Sequence, residues 1–395
     1  MEYDIYGMDK RIEYFQKKLD GMSVPQENKD QIREFFEYLF AKGISKSRIL
    51  IYSNRLVPLA AMFGQLKFKE ATQKDMQRIV SQVERTAWSP MTKEIYRITL
   101  KRFYKWLLGN DEFYPECVRW MKKSGALKTK IMPEELLTTE EIHKMIDEAK
   151  NPRDKAFIAV LADSGCRVGE IASMKIKHVS FDQYGAQVMV CGKTGQRRIR
   201  LISSVHFLTQ WLENHPFKHN PESSLWPRLT TKSRGQPMNY VCIMLLLKKA
   251  KKAAGVKKRV NPHSYRHARA TELAKMGLNE PQMEKIMGWE HGSSMPQVYL
   301  HMSGNDVDSA LLKAYGLQPK EDQDTRLKCP RCFMLSDIKS TFCKECGMPL
   351  TTRAAVDMEN NRQKFEDKIS KVMEMIENDA EVQKLITSKL KKRVA

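Results

Sequence analysis

Asn261-Pro-His263-Ser-Tyr-Arg266-His267 opens a helix after a proline and carries a histidine and an arginine three positions apart. Upstream stands Asp163-Ser-Gly-Cys-Arg167-Val-Gly-Glu170-Ile, a glycine-bearing turn that leads into a helix with an arginine at its start. Between them, Cys191-Gly-Lys193-Thr-Gly puts a lysine at the tip of a hairpin whose arms are Ala186 to Cys191 and Arg197 to Ile202. Downstream, Met287-Gly-Trp289-Glu-His291 is followed by Val298-Tyr299-Leu-His301. Singly, each residue has an ordinary reading. Arg167 could be a surface ion-pair residue, Lys193 plain turn polarity, His263 a helix cap and Arg266 a solvated face. Tyr299 has packing rivals in Tyr265 and Tyr315.

The ordered set is more specific than its members. It resembles the tyrosine recombinases, the phage-type integrases and Xer-like proteins of bacteria, archaea and mobile elements. Their pattern is an arginine in a G-x-R-x-x-E turn, a hairpin lysine, H-x-x-R, a Gly-His or Gly-Trp, and then a nucleophilic tyrosine. The resemblance implies the chemistry. Arg167 and Arg266 would grip non-bridging phosphate oxygens with forked donors and offset the charge that builds on five-coordinate phosphorus. Tyr299, with an ordinary pKa of about 10, needs help to lose its proton. In this family it attacks to leave a 3′-phosphotyrosyl link. His263 is then the candidate base or proton shuttle, and Lys193 the general acid for the departing 5′-oxygen. The covalent link keeps the bond energy, so neither ATP nor a catalytic metal is implied. Trp289 stands ten residues before Tyr299 and His291 eight. Trp289, whose indole N–H can donate to a phosphate, is preferred for that position, with His291 as its rival.

The rest of the chain fits a nucleic-acid enzyme. Its 395 residues carry 68 basic and 47 acidic side chains, a formal net charge of +21, which favours a polyanionic partner. Charge alone leaves RNA and anionic membrane surfaces open. No run of 18 apolar residues offers a transmembrane helix, and Met1 to Asp20 lacks a secretory apolar stretch. A cytoplasmic, DNA-associated protein is therefore expected. After an N-terminal lead at 1–25, residues 26–125 read as a small helical domain, similar to the SAM-like core-binding domain of integrases. Ile32, Phe35, Phe36, Leu39 and Phe40 recur at helical spacing, Ser45 to Phe63 forms a second helix, Thr72 caps a third, and Ser89-Pro90 opens a fourth that runs to Leu108. On that fourth helix Ile95, Leu100, Phe103 and Leu107 are expected inside. Lys93, Arg97, Lys101 and Lys105 recur every four residues, either as a solvated face or as cations aimed at DNA phosphates.

A basic linker at 126–137 leads to a catalytic domain at 138–318, capped at its start by Thr138-Thr-Glu-Glu141. Between Lys248 and Arg259 seven of twelve residues are basic. The fold class expected is mainly α with a small β-sheet: a helical domain and a mixed, mostly helical catalytic domain forming a two-part clamp. Cys329-Pro-Arg-Cys332 and Cys343-Lys-Glu-Cys346 then supply two Cys-x-x-Cys knuckles within 329–350, the ligand set of a structural, closed Zn²⁺ ribbon. A C-terminal helix at 354–393 carries a stripe of Phe365, Ile369, Val372 and Ile376. Resemblance further implies duplex DNA with specific recombination sites as partner, four protomers on that DNA, and an Asp306 to Tyr315 segment that packs into a neighbouring protomer. Open alternatives are a type IB topoisomerase, a non-catalytic DNA-binding regulator on the same fold, and a zinc-ribbon RNA-binding protein.

Overall fold

The structure is a computed structural model. It describes residues 4–122, 132–182, 184–192 and 195–300, with shorter pieces at 327–329, 334–337, 339–345, 347–351, 354, 367–371 and 373–374. The chain is mostly helical with a small three-stranded sheet, as expected. It divides into two compact units, Met1–Glu135 with Pro237–Leu245, and Leu136–Gln236 with Leu246–Ala395.

The first unit is built from α1 (Met8–Asp20), α2 (Gln26–Ala41), α3 (Lys46–Phe63), α4 (Gln73–Arg85), α5 (Pro90–Leu107) and the short α6 (Glu116–Arg119). α1 lies inside the stretch read from sequence as a lead. Its Ile12 and Leu19 are buried against the bundle, with α3 as the main neighbour. Two buried positions spaced seven apart are too sparse a pattern to mark a helix among so many charges. α4 begins with a full capping box, in which Thr72 accepts from the Asp75 N–H and the Asp75 carboxylate accepts from the Thr72 N–H.

Aromatic rings fill the core. Phe103 meets both Phe35 and Phe68 edge to face, with ring centroids 5.3 and 5.2 Å apart, the arrangement the ring quadrupole favours. Phe63 meets Phe68 at 4.8 Å. Buried Asn28 donates to the Leu66 carbonyl and accepts from the Phe68 N–H, both at 2.9 Å, tying the loop after α3 to α2. The inner face of α5 differs from expectation. Tyr96, Thr99, Leu100, Phe103 and Tyr104 are buried, while Ile95 and Leu107 are only partly so. Tyr104 holds an inner position because its ring packs while its polar tip stays satisfied, the hydroxyl donating to the Phe68 carbonyl at 2.9 Å, and Tyr96 stacks on Trp88 with ring centroids 4.5 Å apart.

In the second unit, α7 (Thr139–Asp147) starts at a capping box formed by Thr138 and Glu141. α8 (Pro152–Ser164) is the central strut, with Ala156 through Leu161 buried in succession. A helix that is apolar all round belongs in the middle of a core, and α8 packs against α7, α10 (Val205–Glu213), α12 (Pro262–Lys275) and the sheet. α9 (Val168–Ala172) follows the glycine turn. β1 (Val179–Asp182), β2 (Gly185–Gly192) and β3 (Gly195–Leu201) form an antiparallel sheet in sequence order. The expected hairpin is present, with Val188 opposite Ile199 and Gly192 opposite Gly195. β1 is not foreseen from sequence, because Ser180, Phe181 and Asp182 are all exposed and the strand lacks alternation. The chain passes between the units within α11 (Tyr240–Ala253). α13 (Glu280–Met287) and α14 (Met295–Leu300) follow in the second unit.

Beyond residue 326, β4 (Leu327–Lys328) pairs with β5 (Leu335–Ser336). Cys332, Cys346, Phe365, Val372, Ile376, the Asp306 to Tyr315 segment and residues 126–131 of the expected linker at 126–137 lie outside the described residues. Residues 367–371 are helical, with Ile369 exposed.

Because Phe35 sits at the centre of the first core, Phe35→Ala is expected to cost about 3–5 kcal/mol, and Phe35→Leu well under half of that. Urea denaturation followed by tryptophan fluorescence reads both, since Trp106 lies 5.2 Å from the Phe35 ring.

Candidate active site

Arg167, the N-cap residue of α9, directs its guanidinium back over its own helix. Nη1 donates to Glu170 Oε1 at 3.0 Å and Nη2 to the Gly288 carbonyl at 2.9 Å. Arg266, in the second turn of α12, is 6 % exposed. Its Nη1 donates to the Gly165 carbonyl at 2.9 Å and its Nη2 to the Met287 carbonyl at 2.7 Å. The two arginines, 99 positions apart, thus close on consecutive carbonyls of one turn. Burial first, then the neighbouring Arg167 charge, push the Arg266 pKa down to about 10. The group stays cationic at neutral pH and gains most from an incoming anion.

The turn at 287–289 exists because Gly288 ends α13 with φ +62°, a left-handed conformation favouring glycine. A Cβ there would stand 2.5 Å from Arg197 Nη1. Arg197, on β3, extends under this turn. Its Nε donates to the Ile286 carbonyl at 3.1 Å, and its two terminal nitrogens donate to the Glu170 carboxylate at 2.9 and 2.7 Å. Glu170 is 3 % exposed. Its burial would raise the carboxyl pKa, yet the hydrogen bonds and charge of Arg197, with Arg167 behind them, hold it below the ordinary value. One buried carboxylate therefore orients two arginines. Gly192 at the end of β2 comes so close that a Cβ would lie 2.4 Å from Glu170 Oε1. Lys193, next in the chain, lies outside the described residues.

Asp163 anchors the other side. Its buried carboxylate accepts from the Ile202 and Ser204 N–H groups at 2.8 and 3.0 Å and from Arg269 at 3.3 Å. It joins the end of β3 to α8 and α12. Burial lifts the neighbouring Cys166 thiol to about 11, so the sulfur in this turn stays protonated.

Tyr299, on α14, is 1 % exposed. Its ring stacks on Trp289 at 5.6 Å and an interplanar angle of 8°, and the Arg266 guanidinium lies over that indole at 5.5 Å. Trp289 therefore occupies the centre of the cluster. His291, its rival, points away: its side chain is 96 % exposed and pairs with Glu284 at 3.1 Å. The imidazole on the Tyr299 hydroxyl belongs to His267, whose Nδ1 lies 2.6 Å from Oη. His263, expected from sequence as base or shuttle, is exposed on the first turn of α12, its ring 6.4 Å from that of His267. Its pKa is lowered by desolvation and by the charges of Arg266 and Arg167.

Sequence reasoning thus missed Arg197 and His267. The first had a signal. Arg197 shares its strand face with Ile199 and Leu201, whose side chains are buried, and an arginine in that inward register requires a buried acceptor. The second stands beside Arg266 in the opening stretch, but spacing says nothing of which imidazole a tyrosine 32 residues later will meet.

The α5 cations do not form an open row. Arg97 is held between Glu84 and Glu94, Lys93 donates to the Glu84 carbonyl at 2.6 Å and Lys101 to the Met121 carbonyl at 2.7 Å. Lys101 and Lys105 both lie over the Tyr114 ring.

The phage integrase family matches residues 135–305, and the phage integrase N-terminal SAM-like domain matches residues 32–110. The chain belongs to the phage integrase family, the tyrosine recombinases. It is 25% identical over 301 residues to tyrosine recombinase XerA of Pyrococcus horikoshii, covering 73% of this chain and 94% of that protein. It is 25% identical over 309 residues to tyrosine recombinase XerA of Saccharolobus solfataricus, covering 75% and 96%. Its fold is similar to that of XerH site-specific recombinase bound to a palindromic difH substrate, with a TM-score of 0.53 and 18% identity over 80% of this chain and 98% of that one. It is also similar to a lambda integrase tetramer bound to a Holliday junction, with a TM-score of 0.52 and 14% identity over 67% and 77%.

Glu170→Gln removes the buried charge that two arginines share and is expected to cost about 3–5 kcal/mol at neutral pH. The wild-type carboxyl is held below its ordinary pKa. Its contribution is therefore complete above the ordinary carboxylate range and is lost only as pH falls through the lowered value. Urea denaturation between pH 7 and about 3 should show that acid limb in the wild type and a flatter one in the variant.

Proposed function

We propose that this chain is a site-specific DNA recombinase that cleaves and rejoins duplex DNA through a 3′-phosphotyrosyl link to Tyr299. The observation that carries this reading is the meeting of Arg167 and Arg266 on the carbonyls of Gly288 and Met287, beside the Trp289 indole that stacks on Tyr299. Two guanidiniums this close repel each other unless an anion lies between or above them. A phosphodiester supplies that anion and presents two non-bridging oxygens to their donors. The carbonyls they now hold are weak, neutral acceptors that a phosphate can replace. As charge grows on the five-coordinate phosphorus, the fixed cations gain more than they did from the ground state, which is the condition for lowering the barrier.

In this reading Trp289, in preference to His291, offers its indole N–H to the phosphate. His263, exposed beside both arginines, handles a proton near the phosphate, and Lys193 protonates the departing 5′-oxygen. The helical domain at 26–125 and the catalytic domain at 138–318 would act together on one DNA site. Four protomers would exchange strands between two sites, as the assembly named for lambda integrase suggests. No described helix is long and apolar enough to cross a membrane.

A structural Zn²⁺ on Cys329, Cys332, Cys343 and Cys346 is part of the same proposal. The described part of the ribbon fits it. Cys329 and Cys343 are both buried in one small cluster with Met334, Met348 and Leu350. Their backbone N–H groups make matching bonds to the carbonyl five residues on, Cys329 to Met334 at 2.9 Å and Cys343 to Met348 at 2.8 Å. Two loops closed in the same way bring two thiols inward, as paired knuckles require. When bound, the ion would crosslink the two knuckles and supply folding energy there.

A nicked suicide substrate tests the enzyme reading. The wild-type chain should form a covalent protein–DNA adduct without ATP and in the presence of EDTA, and Tyr299→Phe should form none. An adduct that survives Tyr299→Phe would assign the nucleophile to another residue. For the ribbon, elemental analysis of the purified chain should give one zinc per protomer, lost in Cys329→Ser/Cys343→Ser.

A further inference from the structure

The Tyr299 hydroxyl has a partner for which the proposed cleavage chemistry has assigned no role. His267 Nδ1 lies 2.6 Å from Oη, a distance at which a phenolic O–H donates to an imidazole nitrogen. The ring itself is buried, with Trp289 flat against one face. The hydroxyl end is thus set by a rigid stack, and the imidazole meets it from α12. That helix also carries Arg266 and, one turn earlier, His263.

The site needs such a partner. Burial lifts the Tyr299 phenol to about 12, although the Arg266 charge works in the opposite direction. A phenolate is therefore scarce at neutral pH, and the proton has to leave as the bond to phosphorus forms. His267 is suited to take it. Burial, then the neighbouring His263 and Arg266 charges, lower its pKa, so the ring is neutral and its acceptor nitrogen is open at pH 7.

We propose, resting on the recombinase reading, that His267 Nδ1 accepts the Tyr299 proton during strand cleavage, leaving His263 to the phosphate. The Oη–H bond breaks and its electron pair forms the bond from Oη to phosphorus. The bond from phosphorus to the 5′-oxygen breaks, and that oxygen takes a proton from the general acid expected at Lys193. His267 is left as an imidazolium. Its lowered pKa makes it a strong donor in return. When an incoming 5′-hydroxyl attacks the phosphotyrosyl link, its proton returns to the amine left at Lys193, the bond from phosphorus to Oη breaks, and Oη recovers its proton from Nδ1. One histidine serves both directions, as microscopic reversibility demands of a cut-and-rejoin enzyme.

A suicide substrate with sulfur in place of the bridging 5′-oxygen isolates this step, because a thiolate departs without a proton. Adduct formation by the full chain is timed across a pH series for wild type, His267→Leu and His267→Asn, with DNA binding measured alongside by fluorescence anisotropy. His267→Leu should be slower by about 100-fold at neutral pH. The deficit should narrow as pH rises and solvent base takes over, with DNA affinity unchanged. His267→Asn, whose side-chain oxygen can stand where Nδ1 stood, should recover part of the rate. A wild-type or faster rate in His267→Leu, or a loss equal at every pH and not relieved in His267→Asn, would overturn the assignment. Absence of an adduct with the wild type would instead remove the recombinase reading beneath it.

Discussion

The Glu170 carboxylate, buried to 3 % exposure, takes two donors from Arg197 and one from the Arg167 guanidinium. Buried charges persist only when paired and fully hydrogen-bonded, and this one is. Satisfying it fixes much else. Arg197 must extend from β3 beneath the 286–288 turn, so Gly288 has to be a glycine, and the end of β2 must lie against Glu170, so Gly192 has to be one too. Arg167 is held by the same carboxylate at its start and by the Gly288 carbonyl at its tip. Arg266 is set beside it by carbonyls at Gly165 and Met287. The paired cations are thus preorganised by neighbours that are not themselves at the reacting atoms, the condition under which electrostatic stabilisation costs least at the moment of reaction.

A second consequence concerns the proposed nucleophile. Tyr299 sits inside the domain, covered by Trp289 and capped by an imidazole. A phenol so placed is protected from chance reaction and must gain access to a phosphate before it can attack. The stack of Arg266, Trp289 and Tyr299 joins the paired arginines to the tyrosine through one indole. Anything that moves the guanidinium toward an anion therefore changes what holds the ring.

Much of this was legible in the sequence, and the reasons it was or was not are specific. Capping residues at Thr72, Ser89 and Thr138 marked helix starts because local hydrogen bonds alone decide them, and Pro262 marked another, whose cap is Asn261 and not His263. The hairpin of β2 and β3 was visible because one face of β2 is buried. β1 carries no such alternation, and α1 buries too few positions to stand out. In the site, residue type and order gave Arg167, Arg266, Trp289 and Tyr299. The contact between His267 and Tyr299 and the sharing of Glu170 arise from tertiary closure, which spacing does not encode. The cations of α5 meet carbonyls, carboxylates and an aromatic ring of their own unit, contacts that a periodic stripe does not encode.

The central claim is that the phosphorus becomes bonded to one particular phenol. Trypsin digestion of a trapped adduct after nuclease treatment, followed by tandem mass spectrometry, locates that bond directly. Residues 286–313 form one tryptic peptide whose single tyrosine is Tyr299. The nucleotide mass should be found on that side chain. A nucleotide on Tyr265, Tyr315 or any other residue would contradict the account.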